Sequence, residues 1–291
     1  MVEDWLSNAY AGMSQHQVVA RMSLVGTNLP GFARASNSGA GDIVTTSQEG
    51  LFVNDSTVMA GEFAIPIYEA RPLAVKKYPL LIVIPEIFGM HEHIKDVTRR
   101  FAKEGFSCIT FEPYARDGGV LHLPDIPSVR KVADTIPDIR VMEDIDAILG
   151  YAQEQPTTRN DQVGITGFCR GGMYTLLYAA HNNRVKAAVA WYGQIKPERA
   201  LGIRSIRPID VVAKINAPIL GLYGAEDAGI PVADVKEMEQ AFRSLRKTAE
   251  FVIYAGVPHA FFADYRPSYR ADAAKDAWGR CVTWLKKYLK G

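Results

Sequence analysis

One of the three cysteines lies in a sequence that is typical of a catalytic nucleophile. Residues 167–171 read GFCRG, which is the G-x-nucleophile-x-G pattern with Cys169 at its centre. Such a nucleophile sits on a sharp, strained turn from a strand to a helix, where side chains two residues away on either side would collide with the backbone. The N-terminus of the following helix would favour a thiolate. Taken alone, the pattern also fits an inert cysteine in a turn.

An acid and a base follow in the order that such a site requires. Residues 218–227 (PILGLYGAED) read as a strand and a turn that carries Asp227, which we prefer to Glu226 because a short side chain suits a fixed turn. Residues 251–260 (FVIYAGVPHA) read as another strand, followed by His259. This order of nucleophile, carboxylate and histidine matches a hydrolase triad. An ordinary turn carboxylate or a helix N-cap is the alternative for Asp227.

A fourth candidate, Glu86, follows the apolar run 78–85 (YPLLIVIP). A carboxylate at the tip of a buried strand suits a site better than a core. Cys108 and Cys281 lie in apolar patterns and are predicted to be core residues. Because the three cysteines are odd in number and far apart, we predict neither a disulfide framework nor a zinc knuckle.

The remaining histidines do not suggest a site. Polar surroundings predict surface positions for three of them: His16, His122 and His181. His91 and His93 flank Glu92 at the start of a predicted helix, where residues two apart point in different directions. We therefore expect no metal and no cofactor.

The elements that must position these residues alternate between strand and helix patterns. Strands are predicted over residues 61–68, 78–85, 106–111, 162–166, 185–191, 218–223 and 250–254. Helices are predicted over residues 91–104, 138–155, 171–180, 232–245 and 271–289. This alternation predicts an α/β fold with a mostly parallel central sheet and helices on both faces. The long irregular segments 115–137 and 194–216 are candidate lids or rims over a site.

The N-terminal residues have a different character. Residues 18–29 are mildly apolar and predict a short helical appendage, while residues 31–50 are small and polar and predict a flexible linker. We therefore divide the chain into an appendage with its linker (1–50) and one α/β domain (51–291). Acidic residues near the start, and Arg21 and Asn28 within the apolar stretch, disfavour a secretory signal. We expect a cytoplasmic protein, with a degenerate export leader as the alternative.

The charge of the chain argues against two classes of partner. The 291 residues carry a net charge of +1, without a long run of Lys or Arg. The chain therefore lacks the positive surface that would attract a phosphate backbone or an anionic membrane. No run of ~18 apolar residues predicts a membrane span. We expect a small-molecule partner, no nucleic acid and no membrane, and the sequence leaves a homo-oligomer open.

Four motifs together resemble one known family. The sequences EIFG (86–89), GFCRGG (167–172), GAED (224–227) and PHAFF (258–262) occur in the order found in dienelactone hydrolases, or carboxymethylenebutenolidases. The sequences YAR (114–116) and WYG (191–193) extend the resemblance, which runs from about residue 60 to the C-terminus. It implies a single α/β-hydrolase domain that opens a lactone through a Cys–His–Asp triad.

The resemblance also implies a role for each candidate. Cys169 would be the nucleophile, His259 the base and Asp227 the residue that orients this base. Glu86 would hold the resting cysteine as a neutral thiol until the substrate displaces it, and so activate Cys169. The oxyanion hole would use two backbone N–H groups, those of Ile87 and Arg170.

The resemblance is incomplete where the substrate would bind. Family enzymes active on dienelactone hold the substrate carboxylate with two arginines, one of them four residues after the catalytic histidine. Ala263 stands at that position here. Arg266 and Arg270 follow closely, and Arg130 is a candidate for the second arginine, although each also fits a surface position. Two tyrosines from the shorter motifs complete the candidate set: Tyr114 and Tyr192.

The leading hypothesis is therefore a cysteine-dependent hydrolase of small esters or lactones. A hydrolase-fold protein that binds a ligand or partner without turnover is the alternative, because the arginine is missing and an N-terminal segment is added. Thiol redox sensing at Cys169 is a weaker hypothesis, since no second cysteine lies nearby in the sequence to resolve a sulfenic acid.

Overall fold

The computed structural model describes residues 43–289, in which eight strands form one sheet. The strands are β1 (Leu51–Ala60), β2 (Phe63–Pro72), β3 (Tyr78–Ile84), β4 (Ser107–Phe111), β5 (Thr158–Phe168), β6 (Val185–Trp191), β7 (Ile219–Gly224) and β8 (Ala249–Tyr254). Their order across the sheet is β1-β2-β4-β3-β5-β6-β7-β8. Neighbours from β4 to β8 along this order are parallel, whereas β2 pairs antiparallel with both β1 and β4. The predicted mostly parallel sheet is confirmed.

Six α-helices accompany the sheet in the described residues. They are α1 (Glu92–Lys103), α2 (Ile126–Ala133), α3 (Asp138–Glu154), α4 (Arg170–His181), α5 (Val232–Ser244) and α6 (Ala271–Tyr288). All but α2 lie within a few residues of a predicted helix. The sequence predicts an irregular segment where α2 lies, because this short helix buries only Val129 and Ala133 and so has little periodicity. Within residues 43–289, no helix has the length and apolar composition needed to cross a membrane.

The central strands are covered on both sides. All residues of β3 and all residues of β4 are buried. Since alternate residues of a strand face opposite sides of the sheet, this burial requires packed elements on both faces. The parallel strands also bring their carboxyl ends to one edge of the sheet. Five candidate site residues follow these ends: Glu86 after β3, Cys169 after β5, Tyr192 after β6, Asp227 after β7 and His259 after β8.

The side of the sheet that begins with β1 differs from the prediction of one strand over residues 61–68. There β1 and β2 form an antiparallel hairpin, with Leu51 opposite Pro72 and Ala60 opposite Phe63. Of the residues in β1, only Leu51 and Val58 are buried. The sequence does not reveal β1 because an edge strand that is mostly accessible needs no regular apolar alternation.

The sequence predicts a flexible linker through residue 50, yet residues 43–50 lie against α1. The N–H of Val44 donates to the carboxylate of Asp264 at 3.3 Å, and the N–H of Thr46 donates to Asp96 at 2.5 Å. The Nε–H of Arg99 donates back to the carbonyl oxygen of Thr46 at 3.1 Å. These contacts fix the end of the predicted linker. The predicted helical appendage and the rest of the linker lie outside the described residues.

Candidate active site

Cys169 lies between β5 and α4 on a strained turn. Its φ of 54° and ψ of −115° fall where residues with a side chain are rarely found. A Cβ on Gly171 would lie 2.4 Å from the carbonyl oxygen of Ile84, and a Cβ on Gly167 would lie 2.3 Å from the carbonyl oxygen of Gly171. Glycine is therefore required at both positions, because the strand, turn and helix approach too closely for a side chain.

The structure brings Cys169, His259 and Asp227 into one chain of polar contacts. Nε2 of His259 lies 3.1 Å from Sγ of Cys169, and Nδ1 of the same ring lies 2.5 Å from Oδ2 of Asp227. The other carboxylate oxygen of Asp227 accepts the N–H of Gly229 at 2.9 Å. Asp227 is buried and Glu226 is exposed, so Asp227 is the carboxylate that contacts the histidine.

Cys169 and His259 stabilise each other's charged form. Burial opposes the thiolate, but the positive charge of His259 and its hydrogen bond outweigh burial and lower the pKa of Cys169. Burial also opposes the imidazolium, but the charge of Cys169 and the hydrogen bond to Asp227 outweigh burial and raise the pKa of His259. The pair therefore favours a thiolate beside an imidazolium, which is the reactive form of a cysteine nucleophile.

Backbone strain continues around the histidine. Tyr192 and Ala260 have φ angles of 39° and 58°, in the left-handed region that disfavours residues with side chains. The ring of Tyr192 meets the imidazole of His259 edge to face at a centroid distance of 5.1 Å. The N–H of Tyr192 is held by the carbonyl oxygen of Leu222 at 2.8 Å. Strained residues that the surrounding structure holds in place are typical of functional sites.

The two backbone N–H groups predicted to form the oxyanion hole, those of Ile87 and Arg170, lie in the loop after β3 and at the start of α4. Arg170 is the first residue of α4, where N–H groups have no acceptor within the helix. Ile87 lies in a turn that the N–H of Gly89 closes by donating to the carbonyl oxygen of Glu86 at 3.0 Å. Among residues 43–289, the backbone hydrogen bonds made in turns, loops and caps include none donated by either of these two N–H groups. That these two groups bind an oxyanion stays a prediction.

The side chain of Arg170 connects this turn to the segment 115–137. Its Nη1 donates to the carbonyl oxygen of Ala133, at the end of α2, at 2.8 Å. Its Nη2 forms an ion pair with Asp134. The segment predicted as a lid or rim thus lies against the turn that carries Cys169.

Glu86 lies at the tip of β3, but its carboxylate contacts residues other than Cys169. Oε1 accepts a hydrogen bond from Nε2 of His91 at 2.9 Å and another from the hydroxyl of Tyr265. Nη1 of Arg266 lies 3.9 Å from Oε2. This arrangement differs from the resting contact between glutamate and cysteine that the family resemblance implies.

The sequence does not reveal the environment of His91 and His93. Both are buried, and their rings stack at a centroid distance of 6.0 Å. The expectation that they point in different directions is wrong because His91 precedes α1 with an extended backbone, so helical spacing does not apply to the pair. The sequence offered one signal of this environment, which is that both histidines follow Glu86 within seven residues. In the part of the chain described here, no group of three His, Cys, Asp or Glu residues has the geometry to hold a metal.

The candidate substrate-binding residues lie in different environments. Arg266 lies close to Glu86 with its side chain 20% exposed. Tyr114 is buried beyond β4, and burial raises its pKa. Arg130 is exposed on α2, and Ala263, at the position where the family has arginine, is buried.

A buried carboxylate that the sequence analysis did not identify, Glu112, supports the loop after β3. It accepts the N–H of Met90 at 2.8 Å and the N–H of Tyr114 at 3.0 Å. Burial outweighs these hydrogen bonds and raises the pKa of Glu112 to about 7. Glu112 therefore joins the loop after β3 to the loop after β4 through a carboxyl group that titrates near neutral pH.

Comparison with known proteins gives a consistent result. The model of the dienelactone hydrolase family matches residues 65–289. A protein of Methylorubrum extorquens named "Putative carboxymethylenebutenolidase" is 42% identical over 279 residues, which cover 95% of this chain and 96% of the relative. A protein of Escherichia coli K12 with the same name is 41% identical over 264 residues, which cover 90% of this chain and 97% of the relative.

A solved structure extends the agreement to three dimensions. It is described as a putative dienelactone hydrolase from Klebsiella pneumoniae and is 43% identical, with a TM-score of 0.79. The match covers 82% of this chain and 99% of the solved chain. The motifs around Cys169, the sheet order and these relatives agree. The chain therefore belongs to the dienelactone hydrolase family of ester and lactone hydrolases, with the α/β-hydrolase fold.

Proposed function

We propose that this protein hydrolyses a small ester or lactone through Cys169, His259 and Asp227. The observation that carries the proposal is the continuous contact from Sγ of Cys169 through the imidazole of His259 to the buried carboxylate of Asp227. A protein that only binds a ligand has no need of this chain of contacts or of the strained backbone at Cys169. No observation favours the alternative without turnover.

In the first half-reaction, the thiolate of Cys169 attacks the carbonyl carbon of the substrate. The carbonyl oxygen becomes an oxyanion, and the N–H groups of Ile87 and Arg170 stabilise it. Hydrogen-bond donors of this kind contribute about 3–4 kcal/mol each. As the tetrahedral intermediate collapses, the carbon–oxygen bond to the leaving group breaks and His259 donates its proton to that oxygen.

In the second half-reaction, His259 takes a proton from water, and the resulting hydroxide attacks the thioester carbon. The carbon–sulfur bond breaks, the acid product leaves, and the thiolate of Cys169 is restored beside the imidazolium. Asp227 keeps Nδ1 of His259 protonated, so Nε2 faces the sulfur as the atom that exchanges protons.

The position of Arg266 favours an anionic substrate for this reaction. Its cation lies near Glu86, and its side chain is partly accessible. The relatives named after carboxymethylenebutenolide would act on a lactone that carries a carboxylate. We extend the proposal to such a lactone, with its carboxylate paired to Arg266. The exposed position of Arg130 on α2 gives that residue no comparable role.

The test is hydrolysis of p-nitrophenyl acetate and of carboxymethylenebutenolide by wild type and Cys169→Ala. Turnover should vanish in the variant, and mass spectrometry of wild type should find an acyl adduct on Cys169. The matched control is Cys108→Ala, which removes a buried thiol from β4 and should retain turnover. Full turnover by a folded Cys169→Ala protein would refute the proposal.

A further inference from the structure

The buried carboxylate of Glu112 lies between two loops, and the proposed reaction does not use it. Oε2 accepts the N–H of Met90, in the loop after β3, and Oε1 accepts the N–H of Tyr114, in the loop after β4. Burial raises the pKa of Glu112 to about 7, because these two hydrogen bonds favour the charged form without offsetting burial. The fold therefore keeps this charge at a cost in stability, and stability alone does not account for it.

The same carboxylate packs against the turn that contains Ile87. The N–H of Gly89 closes this turn by donating to the carbonyl oxygen of Glu86 at 3.0 Å. Gly89 has a φ of 72°, and a Cβ there would overlap both carboxylate oxygens of Glu112. Glu112 thus contacts the last residue of the turn and holds the N–H of Met90, which follows it.

The other end of this loop packs against the start of α4. A Cβ on Gly171 would lie 2.4 Å from the carbonyl oxygen of Ile84 and 2.5 Å from that of Pro85. Gly171 is two residues after Cys169, so the end of β3 lies beside the turn that carries the nucleophile. Only residues 86–89 separate this packed end from Met90. A shift of Met90 would therefore be transmitted to the backbone of Ile87.

Glu112 is itself supported by the sheet. It directly follows β4, and its N–H donates to the carbonyl oxygen of Pro66 in β2 at 2.9 Å. The carboxylate thus projects from a regular element rather than from a free loop. Support of this kind holds a functional group more precisely than a loop can hold it alone.

We propose that Glu112 is a positioning residue that holds the loop after β3, and with it the N–H of Ile87, in the place that the oxyanion requires. This inference rests on the proposed function, in which that N–H stabilises the oxyanion. A carboxylate suits the task because it accepts two N–H groups on separate oxygens and offers no donor against either of them.

The experiment compares two reactions of Cys169 in the full chain at about pH 8.5, where a carboxyl group with a pKa of about 7 is ionised. The first is acylation by p-nitrophenyl acetate, followed in a single turnover as release of p-nitrophenolate, and it passes through an oxyanion. The second is transfer of a methylthio group from methyl methanethiosulfonate to the thiolate. Methanesulfinate leaves in that step, and no oxyanion forms. Mass spectrometry locates both adducts on Cys169.

Two variants of Glu112 should slow acylation in a graded way. Glu112→Gln has one acceptor oxygen for two N–H groups, so the acylation rate should fall about tenfold. Glu112→Met fills a similar volume with no comparable acceptor, and the rate should fall about 100-fold, as expected for a misplaced oxyanion donor. Affinity for the ester and the rate of methylthio transfer should stay near wild type in both variants.

The matched control is Asp144→Asn. Asp144 is a buried carboxylate on α3 that pairs with Arg116 at 2.7 Å, and burial raises its pKa as well. Both reactions of Cys169 should stay near wild type in this variant. An acylation loss in Asp144→Asn as large as that in Glu112→Gln would contradict a specific role for Glu112.

Urea unfolding establishes that each variant is folded. Equal losses in the two reactions of Glu112→Met would indicate a general disturbance of the site and would overturn the proposal, as would unchanged acylation. If Glu112→Met does not fold, Glu112→Gln decides by the same two criteria.

Failure of the proposed function would look different. Methylthio transfer to Cys169 in a wild-type protein that neither p-nitrophenyl acetate nor carboxymethylenebutenolide acylates would refute the proposed hydrolysis, and the positioning role with it. Acylation of wild type that Glu112→Met leaves unchanged would refute the positioning role alone.

Discussion

Replacing the carboxylate of Asp227 by an amide should remove most of the activity while keeping the shape of the site. The N–H of Gly229 already donates to Oδ1, so in Asp227→Asn the amide oxygen keeps that bond and the NH₂ group faces His259. The imidazole would then carry its proton on Nε2, where it can no longer accept one from the thiol. Asn at this position therefore imposes the wrong tautomer and removes a buried charge.

The size of the effect follows from the contact between Asp227 and His259. With charge centres about 4 Å apart and an effective dielectric constant of about 20, the attraction is about 4 kcal/mol. A neutral hydrogen bond would recover about 1 kcal/mol. The remaining loss of about 3 kcal/mol corresponds to about two pKa units on His259. This loss of about 3 kcal/mol would no longer stabilise the imidazolium in the transition state. The value of kcat/KM should therefore fall about 100-fold.

The assay is kcat/KM for p-nitrophenyl acetate from pH 5 to pH 10, with urea unfolding to check the fold. The raised pKa of His259 keeps the imidazolium present to high pH in wild type, so the alkaline limb of the profile should move down by about two units in Asp227→Asn. Glu226→Gln changes the exposed neighbouring carboxylate and should behave as wild type. A loss below about threefold in Asp227→Asn, or an equal loss in Glu226→Gln, would refute this reasoning.

Three further predictions concern the turn, the substrate and a buried carboxyl group. Gly171→Ala should lower the free energy of unfolding by more than about 2 kcal/mol, because its Cβ meets two backbone carbonyl oxygens within 2.5 Å. The control is Gly150→Ala in α3, where nothing lies within 4 Å of the added Cβ. It should raise the free energy of unfolding by up to about 1 kcal/mol. Urea unfolding measures both, and equal changes in the two variants would contradict the prediction. Arg266→Gln should raise KM for carboxymethylenebutenolide at least tenfold without a similar change for p-nitrophenyl acetate, whereas Arg130→Gln should change neither; an equal effect on both substrates would exclude a carboxylate contact. The pKa of Glu112 is raised by folding to about 7 from its ordinary 4.5, so its contribution to stability is present below pH 4.5 and is lost as pH rises through 7. The free energy of unfolding of wild type relative to Glu112→Gln should thus fall by up to about 3 kcal/mol between pH 4 and pH 8, and a difference that is constant with pH would be inconsistent with this shift.

Local motifs explain why so much of the candidate site could be predicted. Gly167 is required by a close contact within the turn, and Gly171 by the carbonyl oxygens of Ile84 and Pro85 at the end of β3. Both glycines nevertheless flank Cys169 within five residues, so the motif is visible in the sequence. His259 and Asp227 each follow an apolar strand, and parallel strands bring their carboxyl ends to one edge of the sheet. The roles assigned to these residues stay predictions until the variants are measured.

Elements with little buried surface could not be predicted in the same way. Strand β1 is an edge strand with two buried residues, and helix α2 has eight residues, of which two are buried. Neither needs a periodic apolar pattern, and periodicity is the signal on which sequence prediction depends. The contacts of Val44 with Asp264 and of Thr46 with Asp96 were hidden for a related reason. Backbone N–H groups make them, and every residue type except proline supplies such a group.

The sequence by itself determined the α/β class, the family and the order of Cys169, Asp227 and His259, because strand patterns and turn glycines are local properties. Only the tertiary structure decided which groups surround Glu86. Its donors, His91 and Tyr265, lie on segments far apart in the chain, and one of them precedes a helix with an extended backbone. Contacts between such segments depend on how the loops after β3 and β8 pack together, and no spacing in the sequence encodes that packing.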